Sequence, residues 1–231
     1  MRNHFSFFID IDGTITDYRP GALDHGKLLF GNFLFPIIRE LMMEQGCTQA
    51  EAEILIRREM RENVFWCYGD FVRKFNLPVA AAAERFRAWH AENLTVRRDT
   101  VELIGMLAAR HVPLYIISNN PVDGCLMKLE RAGLPAGNFR GIFGTDVMRG
   151  CKDRTASWER ALKLAGVAPE TAAVIGDNEK EDGAVPRSCG IPRSFLLDRS
   201  SGIRLRRSGG FIRVNDARAI PEALRETAVR L

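Results

Sequence analysis

Two aspartates stand two positions apart near the start of the sequence, within the segment Asp10-Ile11-Asp12-Gly13-Thr14. They directly follow the largely apolar residues 5–9, a run typical of a buried parallel strand. Two carboxylates this close repel each other unless a cation or a shared proton relieves the repulsion. The glycine and the threonine let backbone N–H groups turn toward an anion. The segment therefore predicts a site for a cation and an anion, and the alternative is a solvated turn.

Other polar residues are predicted to lie at the same edge of a sheet. Ser118 and Asn119 come at the end of one apolar run, and Asp177 comes at the end of another. Lys152 stands just before a predicted helix, and Asp182 belongs to the same acidic loop as Asp177. Each of these residues alone has a simple structural explanation, as a turn serine, a surface lysine or a solvated loop. Ligands of parallel α/β sheets bind beyond the carboxyl ends of the strands, so together they indicate one site.

The elements that position these residues alternate between strand and helix. Apolar runs predict strands at residues 5–9, 112–117, 142–144, 172–175, 194–197 and 211–214. Helical patterns lie between or after them, at residues 99–109, 123–132, 153–165 and 221–229. Asp99 and Asp153 are predicted N-caps, and Gly133 and Gly166 are predicted to end helices. This alternation predicts an α/β fold, a Rossmann-like parallel sheet core with helices on both faces.

The segment between Tyr18 and Thr95 has a different pattern, because it carries helix signals and no strand signal. Thr48 and Glu51 have the spacing of a capping box, and Pro78 is suited to the first turn of a helix. We therefore predict that residues 17–94 form an inserted all-helical domain. Residues 1–16 and 95–231 would then form the Rossmann-like core.

Composition excludes several classes of protein. Hydrophobic residues make up 46% and charged residues 27% of the 231 residues, as in an ordinary globular protein. Nothing approaches the roughly 18 consecutive apolar residues that a membrane-spanning helix needs, so no membrane partner is expected. The apolar run at the N-terminus is short and carries Asp10, which argues against a signal peptide. We expect a cytoplasmic protein.

The cysteines and arginines carry no motif of their own. The five cysteines are scattered without CxxC spacing, which favours neither a zinc site nor a disulfide framework. Residues 187–213 contain seven arginines and one acid, Asp198, and account for the net charge of +4. A basic run can bind nucleic acid, but this one lacks interleaved aromatics beyond Phe195 and Phe211 and has no accompanying binding motif. We expect a solvated edge of the sheet and no nucleic-acid partner.

In this order, the Asp10-to-Thr14 segment, Ser118, Lys152 and the Gly176-to-Asp182 segment resemble the haloacid dehalogenase superfamily, a large group of mainly phosphate-transferring enzymes. The resemblance covers most of the predicted core. It implies that Asp10 is the nucleophile, that Asp12 is the general acid/base and that Lys152 neutralises charge beside them. It also implies that residues 17–94 are the helical cap of the family, inserted after the first motif.

The resemblance further implies the binding residues. The transferring phosphoryl group would be bound by Gly13, Thr14, Ser118, Asn119 and Lys152. Mg²⁺ is a hard ion that suits oxygen ligands, and it would be held by Asp10, Asp177, the Asp12 backbone carbonyl and, in support, Asp182. Relatives often have a proline where Asp153 follows Lys152 here, so Asp153 is expected either to cap a helix or to pair with the lysine.

The sequence therefore predicts a magnesium-dependent phosphohydrolase that acts on a small phosphorylated metabolite through an aspartyl-phosphate intermediate. Monomer and homodimer are both open. A phosphomutase uses the same residues, and a haloacid dehalogenase is a second alternative, although dehalogenases generally lack the aspartate that stands here at Asp12. A third alternative is a relative that binds phosphorylated ligands without turnover. The natural substrate stays open.

Overall fold

The computed structural model describes residues 5–24, 27–63 and 65–226. In chain order its strands are β1 (Ser6–Ile9), β2 (Thr16–Tyr18), β3 (Leu94–Val96), β4 (Leu114–Ile117), β5 (Gly141–Phe143), β6 (Ala172–Gly176), β7 (Arg193–Leu197), β8 (Leu205–Ser208) and β9 (Phe211–Val214). Its α-helices are α1 (Leu34–Glu44), α2 (Gln49–Glu62), α3 (Tyr68–Lys74), α4 (Val79–Asn93), α5 (Arg98–Ala109), α6 (Val122–Arg131), α7 (Thr145–Met148), α8 (Thr155–Ala165), α9 (Val185–Ser188) and α10 (Ile220–Glu226). No helix of the described ranges is both long enough and apolar enough to cross a bilayer.

Seven strands form the main sheet, in the order β5-β4-β1-β6-β7-β9-β8. Neighbouring strands are parallel, except that β8 pairs antiparallel with β9 at one edge. All four residues of β1 are buried, as expected for a central strand that is covered on both faces. The predicted α/β fold with a largely parallel sheet is confirmed. The sequence analysis missed β8, an arginine-containing edge strand without an apolar run.

Helices cover both faces of the sheet, because side chains alternate between the two faces of a strand. Phe7 and Ile9 of β1 pack in one cluster with Leu103 and other residues of α5 and α6. Phe8, which lies between them, packs on the opposite face against Trp158 of α8. The alternation along β1 thus places one hydrophobic core on each side of the sheet, and Asp10 follows at its carboxyl end.

The helices α1 to α4 lie between β2 and β3, which pair antiparallel with Thr16 opposite Val96 and Tyr18 opposite Leu94. Both ends of the helical insertion therefore pass through this two-stranded ribbon. The insertion has a hydrophobic cluster of its own, which includes Phe35 and Phe71. Three-residue strands are too short to show a periodicity, so the sequence did not indicate the ribbon. The division into separate domains at residues 17 and 94 stays a prediction.

The sequence signals for helix ends were right at some positions and wrong at others. Thr48 and Glu51 form the predicted capping box, and Gly166 ends α8 with a left-handed φ of 64°. The predicted N-caps Asp99 and Asp153 are wrong, because Arg97 and Arg154 occupy those positions. The Asp99 carboxylate instead accepts hydrogen bonds from Arg199 and from the Ala217 N–H. The Asp153 Oδ2 lies 3.7 Å from the Lys180 Nζ.

The buried side chain of His90, on α4, predicts that acid weakens the fold. Its Nδ1 lies 2.8 Å from the Phe86 carbonyl oxygen, and Nε2 has no hydrogen-bond partner within the described part of the chain. Burial, and next the charge of Lys128, lower the pKa of His90 from its ordinary value of 6.5 to about 4. Between these two values the unfolded state binds more protons than the folded state. Stability is therefore full above pH 6.5 and falls as the pH drops toward 4.

We expect the unfolding free energy of the wild-type protein to lose roughly 2–3 kcal/mol more between pH 7 and pH 4 than that of His90→Asn. Asparagine keeps a donor near the Phe86 carbonyl and cannot become charged. Denaturant titrations of both proteins at several pH values between 7 and 4 measure the unfolding free energies. Carboxylates titrate in both proteins, so their contribution cancels when the two pH dependences are compared. Identical pH dependence in the two proteins would exclude His90 as the cause.

Candidate active site

A cavity of about 390 Å³ lies beyond the carboxyl ends of β1, β4 and β6. Its wall includes Asp10, Asp12, Ser118, Lys152 and Asp177, which the sequence predicted to meet. The parallel pairing of β1 with β4 and β6 brings these strand ends side by side. Gly13 and Asn119, two of the predicted phosphate-binding residues, also line the cavity.

Lys152 joins two carboxylates at the base of this cavity. Its Nζ lies 2.5 Å from Asp10 Oδ1 and 2.8 Å from Asp182 Oδ1. Burial by itself would lower the pKa of Lys152, but the charges of Asp10 and Asp182 outweigh burial and raise it. The lysine therefore stays an ammonium ion. The predicted alternative that Asp153 pairs with Lys152 is wrong, since the ammonium is engaged by Asp10 and Asp182.

Three carboxylates converge at this point, and they fit a hard cation. Oxygens of Asp10, Asp177 and Asp182 all lie within 4.8 Å of one another. Burial, and next the charge of Asp182, raise the pKa of Asp177 to about 6. Asp182 is fully buried, and its two oxygens accept hydrogen bonds from Lys152 and from the Asn178 N–H. Of these three, Asp10 and Asp177 would therefore supply oxygens to a divalent ion, and Asp182 would support them.

Gly13 allows the first motif to approach Asp177 closely. Its φ is +71°, and a Cβ built on it would lie 2.0 Å from Asp177 Oδ2. Any side chain at this position would collide with the carboxylate and strain the backbone. Thr14, in contrast, is fully buried, and its N–H donates to the Ile11 carbonyl at 3.2 Å. Thr14 does not line the cavity, and its predicted role in phosphate binding stays a prediction.

Ser118 and Asn119 sit at the end of β4. The Ser118 Oγ accepts hydrogen bonds from the Asn120 backbone N–H at 3.2 Å and from Asn120 Nδ2 at 2.9 Å. Its own O–H hydrogen remains able to donate to an anion. The Asn119 amide donates to Glu181 at 2.9 Å and accepts from the Lys152 N–H at 2.7 Å. Asn119 therefore positions the backbone that carries Lys152.

Asp12 faces a second buried lysine, Lys128, which the sequence analysis did not identify. Lys128 Nζ lies 2.6 Å from Asp12 Oδ1 and 2.9 Å from Oδ2, and Asn120 Nδ2 lies 2.6 Å from Oδ2. The Asp12 side chain is thus not one of the three carboxylates that converge near Lys152. The predicted contribution of its backbone carbonyl to a metal site stays a prediction. A single lysine in an amphipathic helix ordinarily faces solvent, so the sequence carried no signal for Lys128.

Arg199 holds the backbone of the first motif. Its guanidinium donates to the carbonyls of Gly13 at 2.6 Å and Thr14 at 3.2 Å. The same group pairs with Asp99, and its side chain is only 19% exposed. The prediction that residues 187–213 form a solvated edge is therefore wrong at Arg199. The arginine lies two residues beyond β7, at the sheet edge where the other site residues lie, and that placement was an available signal.

Comparisons with known proteins identify relatives of the sequence and of the fold. A family model described as haloacid dehalogenase-like hydrolase matches residues 6–190. A phosphoglycolate phosphatase of Rhodospirillum rubrum is 28% identical over 193 residues, which are 79% of this chain and 75% of that protein. Among solved structures, a HAD phosphatase from Thermococcus onnurineus superposes with a TM-score of 0.59 at 21% identity, over 97% of this chain and 98% of its own. A 2-haloacid dehalogenase from Pseudomonas syringae pv. Tomato DC3000 superposes with a TM-score of 0.63 at 19% identity, over 97% and 99%. At these identities the solved structures show a shared fold.

Proposed function

Because the chain belongs to the haloacid dehalogenase-like hydrolase family, we propose that it is a magnesium-dependent phosphatase. Its substrate would be a small phosphorylated metabolite, and Asp10 would carry the phosphoryl group in an aspartyl-phosphate intermediate. The observation that carries this proposal is the position of Asp12, which lines the same cavity as Asp10. In the proposed hydrolysis this second carboxylate moves protons, whereas dehalogenases generally lack the residue.

In the proposed first step, an Asp10 oxygen attacks phosphorus and the bond from phosphorus to the leaving oxygen breaks. Asp12, protonated at this stage, gives its proton to that leaving oxygen. The Lys152 ammonium and the Ser118 hydroxyl, which line the same cavity, would bind phosphoryl oxygens. When bound by Asp10 and Asp177, Mg²⁺ would offset the repulsion between the carboxylate and the phosphate.

In the second step, water attacks phosphorus and the bond between phosphorus and Asp10 breaks. Asp12, now a carboxylate, accepts the proton of this water, so orthophosphate leaves and both aspartates return to their starting states. Splitting one displacement into two lets the same pair of aspartates serve both halves of the reaction. Orthophosphate release distinguishes this cycle from a phosphomutase, which would return the phosphoryl group to a substrate.

The cavity suits a small substrate with a second polar or anionic group. Arg97 and Arg199 also line it, and they are paired with Asp17 and Asp99 respectively. Phosphoglycolate is the first compound to test, because the relative from Rhodospirillum rubrum is a phosphoglycolate phosphatase. A panel of phosphorylated metabolites would then rank the substrates.

Metal removal tests the proposal most directly. Phosphate release from a nitrophenyl phosphate should fall to background in excess chelator and return when Mg²⁺ is added. Calcium should restore it poorly, because its larger and looser coordination would misplace Asp10. Asp177→Asn should need much more Mg²⁺ for half-maximal turnover, whereas Asp153→Asn, an exposed acid nearby, should need no more than the wild type. Full turnover in excess chelator would contradict the proposed function.

A further inference from the structure

Lys128 is a lysine with no access to solvent and with every ammonium hydrogen in use. Its side chain is 0% exposed, and the residue lies in the last turn of α6. The Nζ atom contacts the Asp12 carboxylate at 2.6 and 2.9 Å, the Tyr18 hydroxyl at 2.7 Å and Asn120 Oδ1 at 3.1 Å. An ammonium has three hydrogens, and these are three acceptor groups. Burying a cation costs several kcal/mol unless such partners compensate, so this arrangement has one favoured geometry.

The same arrangement fixes the direction of the Asp12 carboxylate. Lys128 bridges both of its oxygens, and Asn120 Nδ2 binds Oδ2 from the side of β4 at 2.6 Å. That Asn120 amide also donates to the Ser118 Oγ at 2.9 Å. The Asn120 amide therefore fixes the position of the Asp12 carboxylate relative to the Ser118 hydroxyl. A carboxylate that must reach both a leaving oxygen and a water gains from being held in place.

Tyr18 extends the arrangement into the helical insertion. Tyr18 is the last residue of β2, in the ribbon through which the insertion leaves the core. Its ring packs edge-on against Phe33 and Trp89 of the insertion, with centroid distances of 6.2 Å in both cases. The Lys128 Nζ lies 4.9 Å from the centroid of the Tyr18 ring. A movement of the insertion that carried Tyr18 away would remove one of the three acceptors from Lys128.

The N-terminal end of α6, the helix that carries Lys128, also contacts the insertion. The Gly69 N–H of α3 donates to the Asp123 carboxylate at the start of α6, at 2.8 Å. A Cβ on Gly124 would lie 3.1 Å from the Tyr68 ring. The first turn of α6 is therefore in close contact with α3, and Lys128 lies one turn further along.

We propose, on the basis of the proposed function, that Lys128 is a positioning residue for proton transfer by Asp12. It holds the Asp12 carboxylate toward the reacting oxygens and, through Tyr18, makes that position depend on the docked helical insertion. Each of the two aspartates therefore has its own buried lysine. Lys152 pairs with the nucleophile Asp10, and Lys128 pairs with the acid/base Asp12.

Lys128→Met tests this role, because methionine has a similar length and neither charge nor N–H groups. The specificity constant kcat/KM reports on steps up to the first irreversible one. We therefore expect it to fall about 10²-fold for an alkyl phosphate, whose leaving oxygen needs a proton. For a nitrophenyl phosphate it should change less than about threefold, because that leaving group needs little protonation. Most of the alkyl-phosphate loss should appear in kcat and not in KM.

Double variants separate positioning from structural support. If Lys128 acts through Asp12, Lys128→Met should cause no further loss of turnover in an Asp12→Asn enzyme. Lys128→Arg retains a cation and should therefore retain more of the alkyl-phosphate turnover than Lys128→Met.

Arg131→Met is the matched control, since Arg131 lies on the same helix and contacts the ribbon at the Leu94 carbonyl. It should lower turnover of both phosphates equally or not at all.

Three results would overturn the role of Lys128. The first is an equal loss of kcat/KM on both phosphates in Lys128→Met. The second is a turnover loss in the variant that combines Lys128→Met with Asp12→Asn that equals the product of the losses of the two single variants. If Lys128→Met fails to fold, Lys128→Arg carries the test, and equal losses on both phosphates by that variant would be the third. Failure of the proposed function is seen separately, in a wild-type protein that releases phosphate from neither compound, and it would remove this role as well.

Discussion

Asp10→Asn should abolish turnover of every phosphate ester and should never gain the mass of a phosphoryl group. The asparagine amide has nearly the size of the carboxylate but is not a nucleophile at phosphorus. Asp10 is 4% exposed, and its N–H donates to the Ile175 carbonyl at 2.9 Å, so the backbone around it should be unchanged. Losses for removal of a covalent nucleophile are about 10⁴-fold or larger.

The measurement for this variant has two parts. Orthophosphate release gives the turnover, and the intact mass after an acid quench shows whether the enzyme became phosphorylated. Thermal unfolding of the variant is the control for folding, because the Lys152 ammonium would retain Asp182 as its partner. A phosphorylated Asp10→Asn enzyme would place the nucleophile at another residue.

Asp12→Asn should fold and lose about 10² to 10⁴ in turnover of an alkyl phosphate, the usual contribution of general acid/base catalysis. Asparagine retains an oxygen that can accept a hydrogen bond from Lys128. It cannot give a proton to the leaving oxygen or accept one from water. With a nitrophenyl phosphate the first step should proceed, because its leaving group needs little protonation. The second step should then limit turnover, and the phosphorylated enzyme should accumulate.

The two aspartate variants are therefore distinguished by mass as well as by rate. Asp12→Asn mixed with a nitrophenyl phosphate should carry one phosphoryl group, and Asp10→Asn should carry none. Near-normal turnover of an alkyl phosphate by Asp12→Asn would show that the proton comes from another group. The fold and the family would stand in that case, and the proposed chemistry would not.

The sequence by itself determined the class of fold and the family, because these depend on local patterns. The apolar run that ends in Asp10 is typical of a buried parallel strand, and β1 is buried at all four of its residues. The capping box of Thr48 and Glu51 needs only three residues of separation, so it was readable directly. Parallel strands also share one carboxyl edge, and for that reason Asp10, Ser118 and Asp177 were expected in one cavity.

Features that depend on distant partners were not readable in the same way. The ribbon of β2 and β3 joins residues about eighty positions apart through strands of three residues each, which leave no periodicity. Asp99 and Asp153 looked like helix caps because aspartate favours that position locally. Asp99 instead pairs with Arg199, and a partner one hundred positions away outweighs the local preference.

The surroundings of Asp12 were decided only by the tertiary structure. Lys128 is separated by 116 positions from Asp12 and by 110 from Tyr18, yet it has no exposure to water. A lysine is ordinarily solvated, and its burial becomes favourable only when the fold supplies acceptors for all three ammonium hydrogens. The sequence determined that an acid/base could stand at Asp12, whereas the packing of α6 against the ribbon decided how that carboxylate is held.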